Sequence, residues 1–230
     1  MSDTNKQFYI YQHVPKCAGQ SFREVCRGLG LDLILEKPPG KANKELWEEF
    51  KESKVDLASM PTDTMICGHL IHDGIRPRER YADEIAQGNV RIVTLLRDPM
   101  ERAISAYFYR QRQGKKVVPT VEDHLANMKN PMAHHLGFFG FEGTMRKFLE
   151  TFFFVAVAEN YDGSVRVLAK LMEREPVEVP RINATPRKPY EVSDAAREAF
   201  RKQNELDYAM FAEGKTLLEE RHRELFGEGL

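Results

Sequence analysis

Near the start of the chain, a lysine, two small residues and a hydroxyl lie between an apolar segment and a helical pattern. The segment PKCAGQSF contains Lys16, Ala18, Gly19 and Ser21. Small residues at a strand-to-helix turn let backbone N–H groups surround an anion, and a nearby lysine adds a mobile positive charge. The G-x-x-x-x-G-K-[ST] spacing of phosphate-binding loops is absent, because the lysine precedes the glycine. These residues alone leave two interpretations open: an anion-binding loop, or a capped turn with a solvated lysine.

A second polar group follows the apolar segment 90–96, in the stretch RIVTLLRDPMERAIS. Arg97 ends a predicted strand, and Ser105 lies eight positions later, about two turns into a helix at a rise of ~1.5 Å per residue. Both side chains could reach one phosphate beside the helix, the arginine in bidentate fashion. In the alternative, Arg97 pairs with Asp98 or Glu101 and Ser105 is a surface hydroxyl. Arg102 is interpreted as a structural or surface cation rather than a ligand.

Local patterns around these residues predict strands that alternate with helices. Aromatic and β-branched runs predict buried strands at four places. These predicted strands cover residues 8–14, 64–67, 90–96 and 152–158. Ser21 and Glu24 have the spacing of a capping box and are predicted to open the first helix. Asp98 followed by Pro99 is typical of the start of a second helix.

The alternation predicts the fold class and the place of the site. Strands separated by helices favour an α/β domain with a central, mainly parallel sheet flanked by helices in three layers. We expect a single domain over residues 1–230, with residues 193–226 forming two helices or one bent helix on its outside. Ligands of such sheets bind at the carboxyl ends of the strands. Three predicted strands end in polar residues, in HVPKCAGQS, GHLIHD and RDPMERAIS, so we expect the site there.

Composition excludes several classes of protein. The 230-residue chain has a formal net charge of −1, which argues against a nucleic-acid-binding protein. Its amino terminus lacks an apolar segment of the secretory type, and the longest apolar run, 152–158, is too short to span a bilayer. Three cysteines without paired spacing argue against a disulfide framework or a zinc site. We therefore expect a cytoplasmic protein with reduced thiols.

Two of the motifs resemble those of sulfotransferases that use 3′-phosphoadenosine 5′-phosphosulfate (PAPS). HVPKCAGQSF is similar to the family's 5′-phosphosulfate-binding loop. VTLLRDPMERAISAYFYR is similar to its 3′-phosphate-binding strand and helix, particularly in carbohydrate enzymes of the heparan sulfate 2-O type. The resemblance is clear over residues 8–30 and 64–110, and fainter over 152–172 and 180–226. It implies a P-loop NTPase-like fold and a soluble, bacterial-type PAPS-dependent O-sulfotransferase.

The resemblance also implies roles for individual residues. Lys16 would contact the phosphosulfate and stabilise charge on the bridging oxygen as its bond to sulfur breaks. The 3′-phosphate would be held by Arg97 and Ser105. The basic loop that closes over the nucleotide would contain Arg187 and Lys188, in NATPRKPY. The residues expected at the 5′-phosphate are Ala18, Gly19, Gln20, Ser21 and Phe22.

Sulfuryl transfer needs a base for the acceptor hydroxyl, and histidine titrates in a suitable range. His69, at the end of a predicted strand, is the first candidate, because it also resembles the histidine that acts as base in the 2-O enzymes. His72 is the second candidate, which could instead orient the acceptor. His134 and His135 lie in a Gly- and Phe-rich stretch that could form a lid facing the acceptor. His13 is interpreted as structural.

The acceptor is predicted less directly. Aromatic residues and cations at 107–112, among them Arg110, would suit an anionic sugar, but they equally suit a packed helix with a solvated face. The resemblance favours a glycan or glycolipid acceptor, and a small metabolite remains an alternative. The expected product from the nucleotide is 3′-phosphoadenosine 5′-phosphate (PAP), and no metal is expected. Two other functions stay open: a magnesium-dependent kinase and a non-catalytic binding module.

Overall fold

Five strands form in the part of the chain that the structure describes. The computed structural model describes residues 6–35, 44–68, 76–178 and 189–230. The strands in these ranges are β1 (Phe8–Gln12), β2 (Asp32–Leu35), β3 (Thr64–Gly68), β4 (Val90–Leu96) and β5 (Phe154–Val157). Every residue of β1 is buried, as expected for a strand covered on both faces. The strands predicted at residues 8–14, 64–67, 90–96 and 152–158 are confirmed within a few residues.

The strands pair in the order β2-β3-β1-β4-β5, and all four pairings are parallel. Ile10 of β1 lies opposite Ile66 of β3 on one side and Ile92 of β4 on the other. The chain leaves β1 toward β2 on one side of the sheet and later crosses back to β4 on the other. A crevice for ligands is expected at such a reversal, outside the carboxyl ends of β1 and β4. A ligand site is therefore expected in the segments that follow β1 and β4.

Helices connect the strands and follow the sheet. Right-handed crossovers place α1 on the opposite face from the helices between β3 and β5. This arrangement confirms the predicted α/β class with a central parallel sheet flanked by helices. The P-loop NTPase-like assignment and the single domain over 1–230 stay predictions. The helices are α1 (Gly19–Gly28), α2 (Lys44–Glu52), α3 (Pro77–Arg80), α4 (Ala82–Ala86), α5 (Pro99–Arg112), α6 (Val121–Ala126), α7 (Pro131–Leu136), α8 (Met145–Glu150), α9 (Tyr161–Leu171), α10 (Asp194–Gln203) and α11 (Glu205–Phe226).

Two local predictions differ from the structure. The sequence analysis missed β2, a four-residue edge strand whose side chains are exposed or half-buried, so its segment lacks a strong apolar pattern. The capping box predicted from Ser21 and Glu24 is wrong, because α1 begins at Gly19 and its N-cap is Ala18. Glu24 instead pairs with Arg27 one turn further along the helix.

The carboxyl-terminal segment forms two helices, and the second packs into the core rather than on the outside. The helices separate at Asn204, which confirms one of the two arrangements expected for residues 193–226. Met210 and Leu218 of α11 are almost fully buried. A Cβ atom at Gly214 would lie 2.6 Å from Leu96 Cδ1 of β4, so glycine allows the helix to approach the sheet closely.

A buried carboxylate joins α11 to α7. Asp207 is fully buried, and its two oxygens accept hydrogen bonds from the backbone N–H groups of Met132 (3.0 Å) and Ala133 (2.8 Å). Asn130 accepts the N–H of Asp207 (3.1 Å), and its own N–H donates to the Asn204 side chain (2.6 Å). This network fixes the start of α7, the helix that carries His134 and His135.

Two further properties bear on the sequence expectations. Cys17, Cys26 and Cys67 are all buried free thiols. Within the described ranges, none of the helices combines the length and the apolar character needed to cross a lipid bilayer.

Replacement of Asp207 by alanine is expected to lower the free energy of unfolding by about 3 kcal/mol, because two buried N–H groups lose their charged acceptor. Asp207→Asn keeps one acceptor oxygen, so its free energy of unfolding should fall by less than that of Asp207→Ala. Chemical denaturation of the purified proteins measures the difference. The exposed Glu205 on the same helix provides the control, and Glu205→Ala should change stability by no more than about 0.5 kcal/mol. Equal losses in the two alanine variants would contradict the assigned role of the network.

Candidate anion-binding site

The loop between β1 and α1 has an unusual backbone. Lys16 (φ 72°) and Ala18 (φ 51°) both adopt left-handed conformations, which are uncommon for residues other than glycine. Backbone turns of this kind form concave nests of N–H groups that bind anions. Ala18 is the N-cap of α1 but makes no side-chain cap, and the first turn of the helix carries no acidic residue. The positive end of α1 therefore faces the loop without an anionic side chain of its own.

A stack of aromatic rings supports this loop from β1. The His13 ring stacks on Tyr11 with centroids 5.3 Å apart, and Phe22 of α1 lies 4.7 Å from the same Tyr11 ring. A Cβ atom at Gly19 would overlap the His13 ring. Glycine is therefore required where α1 passes the histidine. His13 therefore lies against the start of α1, and its structural role stays an interpretation.

The residues expected at the 5′-phosphate occupy different environments. Phe22 is fully buried, so only its backbone can serve a ligand. Ser21 is buried at 7% exposure, whereas Gln20 is exposed. Ala18 and Gly19 supply the left-handed turn and the helix start. The structure thus brings all five residues to one helix terminus and leaves backbone groups as the main donors.

Arg97 connects the two polar segments. Its Nη1 donates a hydrogen bond to the backbone carbonyl of Lys16 (3.1 Å), and its Nη2 lies 3.5 Å from Glu101 Oε2. The pairing with Glu101 was one of the alternatives left open by the sequence. The bond to Lys16 was not anticipated, and it holds the end of β4 against the loop after β1.

Lys16 lies in a cationic environment above α5. Its Nζ is 3.8 Å from the centroid of the Tyr109 ring, within the range of a cation–π contact. Burial is the main cause that lowers the pKa of Lys16 below its ordinary value. The positive charges of Arg112, Arg97 and Arg102 lower this pKa further. The neighbourhood of the loop therefore favours a bound anion.

Ser105 and Arg110 lie on different sides of α5. Ser105 is half-buried, and its hydroxyl makes no hydrogen bond with any part of the chain that the structure describes. Arg110 is exposed, and its charge, after burial, helps to lower the pKa of His124 on α6. Asp98 caps the helix as predicted, since its Oδ1 accepts the N–H of Glu101 (2.9 Å).

The segment with His134 and His135 reaches the same edge of the sheet. Gln12, at the end of β1, donates a side-chain hydrogen bond to the carbonyl of His135 (3.2 Å). His134 is exposed, and its ring lies 5.1 Å from that of Phe139, which is 56% exposed. His134 and Phe139 therefore present an exposed pair of rings.

Not all of this Gly- and Phe-rich stretch faces outward. Phe138 and Phe141 each pack edge-on against Phe148 of α8, with ring centroids 5.3 Å apart. These two half-buried rings pack against the core, so only part of the stretch is exposed, and the lid stays a prediction.

Four candidate residues lie outside the described residues: His69, His72, Arg187 and Lys188. His69 directly follows Gly68, the last residue of β3, whose Cα pairs with that of Gln12 in β1. The basic loop cannot be located in the same way.

Sequence reasoning missed Glu159, which follows β5. Its Oε1 accepts the backbone N–H of Asp98 (3.0 Å), and burial raises the pKa of its carboxyl. The sequence feature that could have revealed Glu159 is its position directly after an apolar strand, the feature from which Arg97 was identified. Tyr109 was also missed as a contact of Lys16, because aromatic residues at helical spacing usually indicate core.

Gly19→Ala is expected to destabilise the loop and to weaken binding of sulfate or phosphate, because the added methyl group overlaps the His13 ring. Thermal unfolding is measured without anion and over an about 50-fold range of sulfate or phosphate concentration. The melting temperature without anion reports the loss of stability, and its rise with anion concentration reports the affinity. The double variant His13→Ala/Gly19→Ala should recover part of the loss. Gly140→Ala is the matched control, since a Cβ there meets nothing within 4 Å. No recovery in the double variant would contradict this account of Gly19.

Comparisons with known proteins give little beyond shape. No protein-family model matches the chain, and no curated protein matches its sequence. Among solved structures, it is similar to the crystal structure of a sulfotransferase from Alicyclobacillus acidocaldarius. The alignment covers 98% of this chain and 97% of that chain, with a TM-score of 0.49 and 16% sequence identity. At these values the similarity does not assign roles to residues, so function is argued from the site.

Proposed function

We propose that the protein is a PAPS-dependent O-sulfotransferase. The observation that carries the proposal is the hydrogen bond from Arg97 to the Lys16 carbonyl, which joins two anion-binding segments at one edge of the sheet. One segment is the nest and helix terminus at 16–21, and the other is Arg97 with Ser105 on α5. A nucleotide with phosphate groups at both its 3′ and 5′ positions presents two separate anions to such a pair.

The reaction would exchange one sulfur–oxygen bond for another. The acceptor hydroxyl oxygen attacks sulfur, the bond from sulfur to the bridging phosphate oxygen breaks, and PAP leaves. Lys16 neutralises the charge that develops on the bridging oxygen, a role for which its lowered pKa makes it a better proton donor. The chain's other contribution is positioning, because transfer of this kind requires the attacking and leaving oxygens in line.

The proton of the acceptor hydroxyl goes to His69 in this proposal. The residue follows β3 directly, and β3 neighbours the strand that leads into the loop. His72 is the second candidate. Neutral histidine accepts a proton near physiological pH, which suits a base for an alcohol that is deprotonated only as it attacks.

The acceptor is proposed to be a carbohydrate or glycolipid. The Tyr109 ring is 41% exposed and lies beside Lys16, so it offers an apolar face close to the point of transfer. His134 and Phe139 offer a second pair of exposed rings on the segment tied to Gln12. Flat aromatic faces suit the C–H surfaces of sugar rings. The free thiols suit a reducing compartment, and we place the enzyme in the cytoplasm.

Calorimetry should show that the protein binds PAP more tightly than adenosine 5′-phosphate or ATP with magnesium, because only PAP occupies both anion sites. Arg97→Ala should weaken binding of PAP by about 10- to 100-fold, the value of one or two charged hydrogen bonds. It should weaken binding of adenosine 5′-phosphate by a smaller factor, because the loop loses only the support of the bond to the Lys16 carbonyl. Arg221→Ala, at an exposed arginine on α11, is the control and should leave all three affinities unchanged. Tighter binding of ATP with magnesium would favour the kinase instead.

His69→Ala is expected to lower kcat by about 10²- to 10⁴-fold while PAP binding stays within a few fold, because a general base acts on the acceptor and not on the nucleotide. Single-turnover transfer of labelled sulfate from PAPS measures the rate. His72→Ala serves as the comparison, with a smaller expected loss. If His69→Ala keeps most of its turnover and His72→Ala does not, the base is His72.

A further inference from the structure

Arg102 is a buried cation without a counter-ion. Its residue exposure is 7%, and its Nε and Nη1 atoms are buried with no hydrogen-bond partner in the described part of the chain. It also makes no ion pair there. An unpaired buried charge is costly, and its replacement by an apolar side chain of similar volume often stabilises a protein. The sequence analysis interpreted Arg102 as structural or superficial, and neither interpretation explains this environment.

Helix geometry places Arg102 on the same side of α5 as Tyr109. Arg102, Ser105 and Tyr109 are spaced by three and four residues, so they form one stripe along the helix. Tyr109, two turns or about 10.5 Å further along the helix than Arg102, contacts the Lys16 ammonium group. Because Tyr109 is exposed and Arg102 buried, the stripe runs from the surface beside Lys16 into the interior.

Electrostatic effects on neighbouring groups agree with this placement. After burial, which raises the pKa of the Cys17 thiol, the charge of Arg102 is the first of the effects that lower it. The same charge contributes to the lowered pKa of Lys16. The charge of Arg102 also contributes to the lowered pKa of His124 on α6, and it opposes the burial that raises the pKa of Asp207. Both carboxylate oxygens of Asp207 already accept backbone N–H groups of α7.

We propose that Arg102 is a ligand-binding residue of the loop, whose guanidinium group binds from beneath the anion held at residues 16–21. On the proposed function, this anion is the 5′-phosphate of the nucleotide. Lys16 then approaches the anion from the side of Tyr109, and Arg102 from the core. The guanidinium group gains an anionic partner only when the site is filled, so the stability lost in the free protein is returned on binding.

The test combines side-chain removal with removal of single phosphate groups. Arg102→Met keeps the volume without the charge, and Arg102→Lys keeps the charge without the planar fork. Calorimetry compares PAP, adenosine 5′-phosphate and adenosine 3′-phosphate on each variant. Arg102→Met should lower the affinity for PAP and for adenosine 5′-phosphate by about 10- to 100-fold, and it should leave the affinity for adenosine 3′-phosphate unchanged. The affinities of Arg102→Lys should lie between those of Arg102→Met and those of the wild type.

Thermal unfolding of the ligand-free proteins provides a second measurement. If Arg102 binds the ligand, Arg102→Met should melt at the same or a higher temperature than the wild type, since an unpaired buried charge has been removed. A lower melting temperature, together with unchanged affinities for the ligands that carry a 5′-phosphate, would assign Arg102 a purely structural role and overturn the proposal. A loss of affinity that follows the 3′-phosphate would overturn it as well.

The outcome for Arg102 is separable from that for the proposed function. Wild-type protein that binds PAP selectively, with an Arg102→Met variant that binds it equally well, rejects only the role of Arg102. Wild-type protein that does not distinguish PAP from the single phosphates rejects the sulfotransferase. In that case inorganic phosphate and sulfate, titrated by thermal shift, still test whether Arg102 serves an anion at the loop.

Discussion

The conformation of the loop after β1 is the constraint on which the candidate site depends. Lys16 and Ala18 are left-handed, which is unfavourable for both residues without support. Support comes from three directions: the ring of His13 beneath Gly19, the bond from Arg97 to the Lys16 carbonyl, and the buried start of α1. A loop held in this way presents its N–H groups before a ligand arrives, so little ordering remains to be done on binding.

The same arrangement concentrates positive charge. Arg97 lies between the end of β4 and the start of α5, and Arg102 and Tyr109 lie on one side of that helix, where Tyr109 contacts the Lys16 ammonium group. In a protein of net charge −1, this is a local rather than a global field. Like charges brought together destabilise the free protein, and an anion relieves their repulsion. Stability and ligand affinity are therefore opposed at this site, as is common where binding residues are buried.

Much of the fold and of the site could be predicted because both are encoded locally. The buried strand 90–96 and the Asp98-Pro99 helix start have strong short-range patterns, and the structure reproduces them. The edge strand β2 was missed because half-exposed residues carry a weak pattern. The start of α1 was misplaced because the helix is opened by backbone geometry at Ala18 and not by a side-chain cap. Lys16, Arg97 and Ser105 were identified from their positions at strand ends and along a helix.

The sequence by itself determined which residue types stand at the carboxyl ends of the strands, because strand and helix patterns depend on neighbours a few positions apart. Tertiary structure decided which of them meet. The hydrogen bond between Arg97 and Lys16 spans 81 positions, and the one between Gln12 and His135 spans 123, so no local pattern encodes either. Only the packing of α5 in the fold buries Arg102 and leaves Tyr109 exposed, because burial depends on what covers a helix face and not on the residues within it.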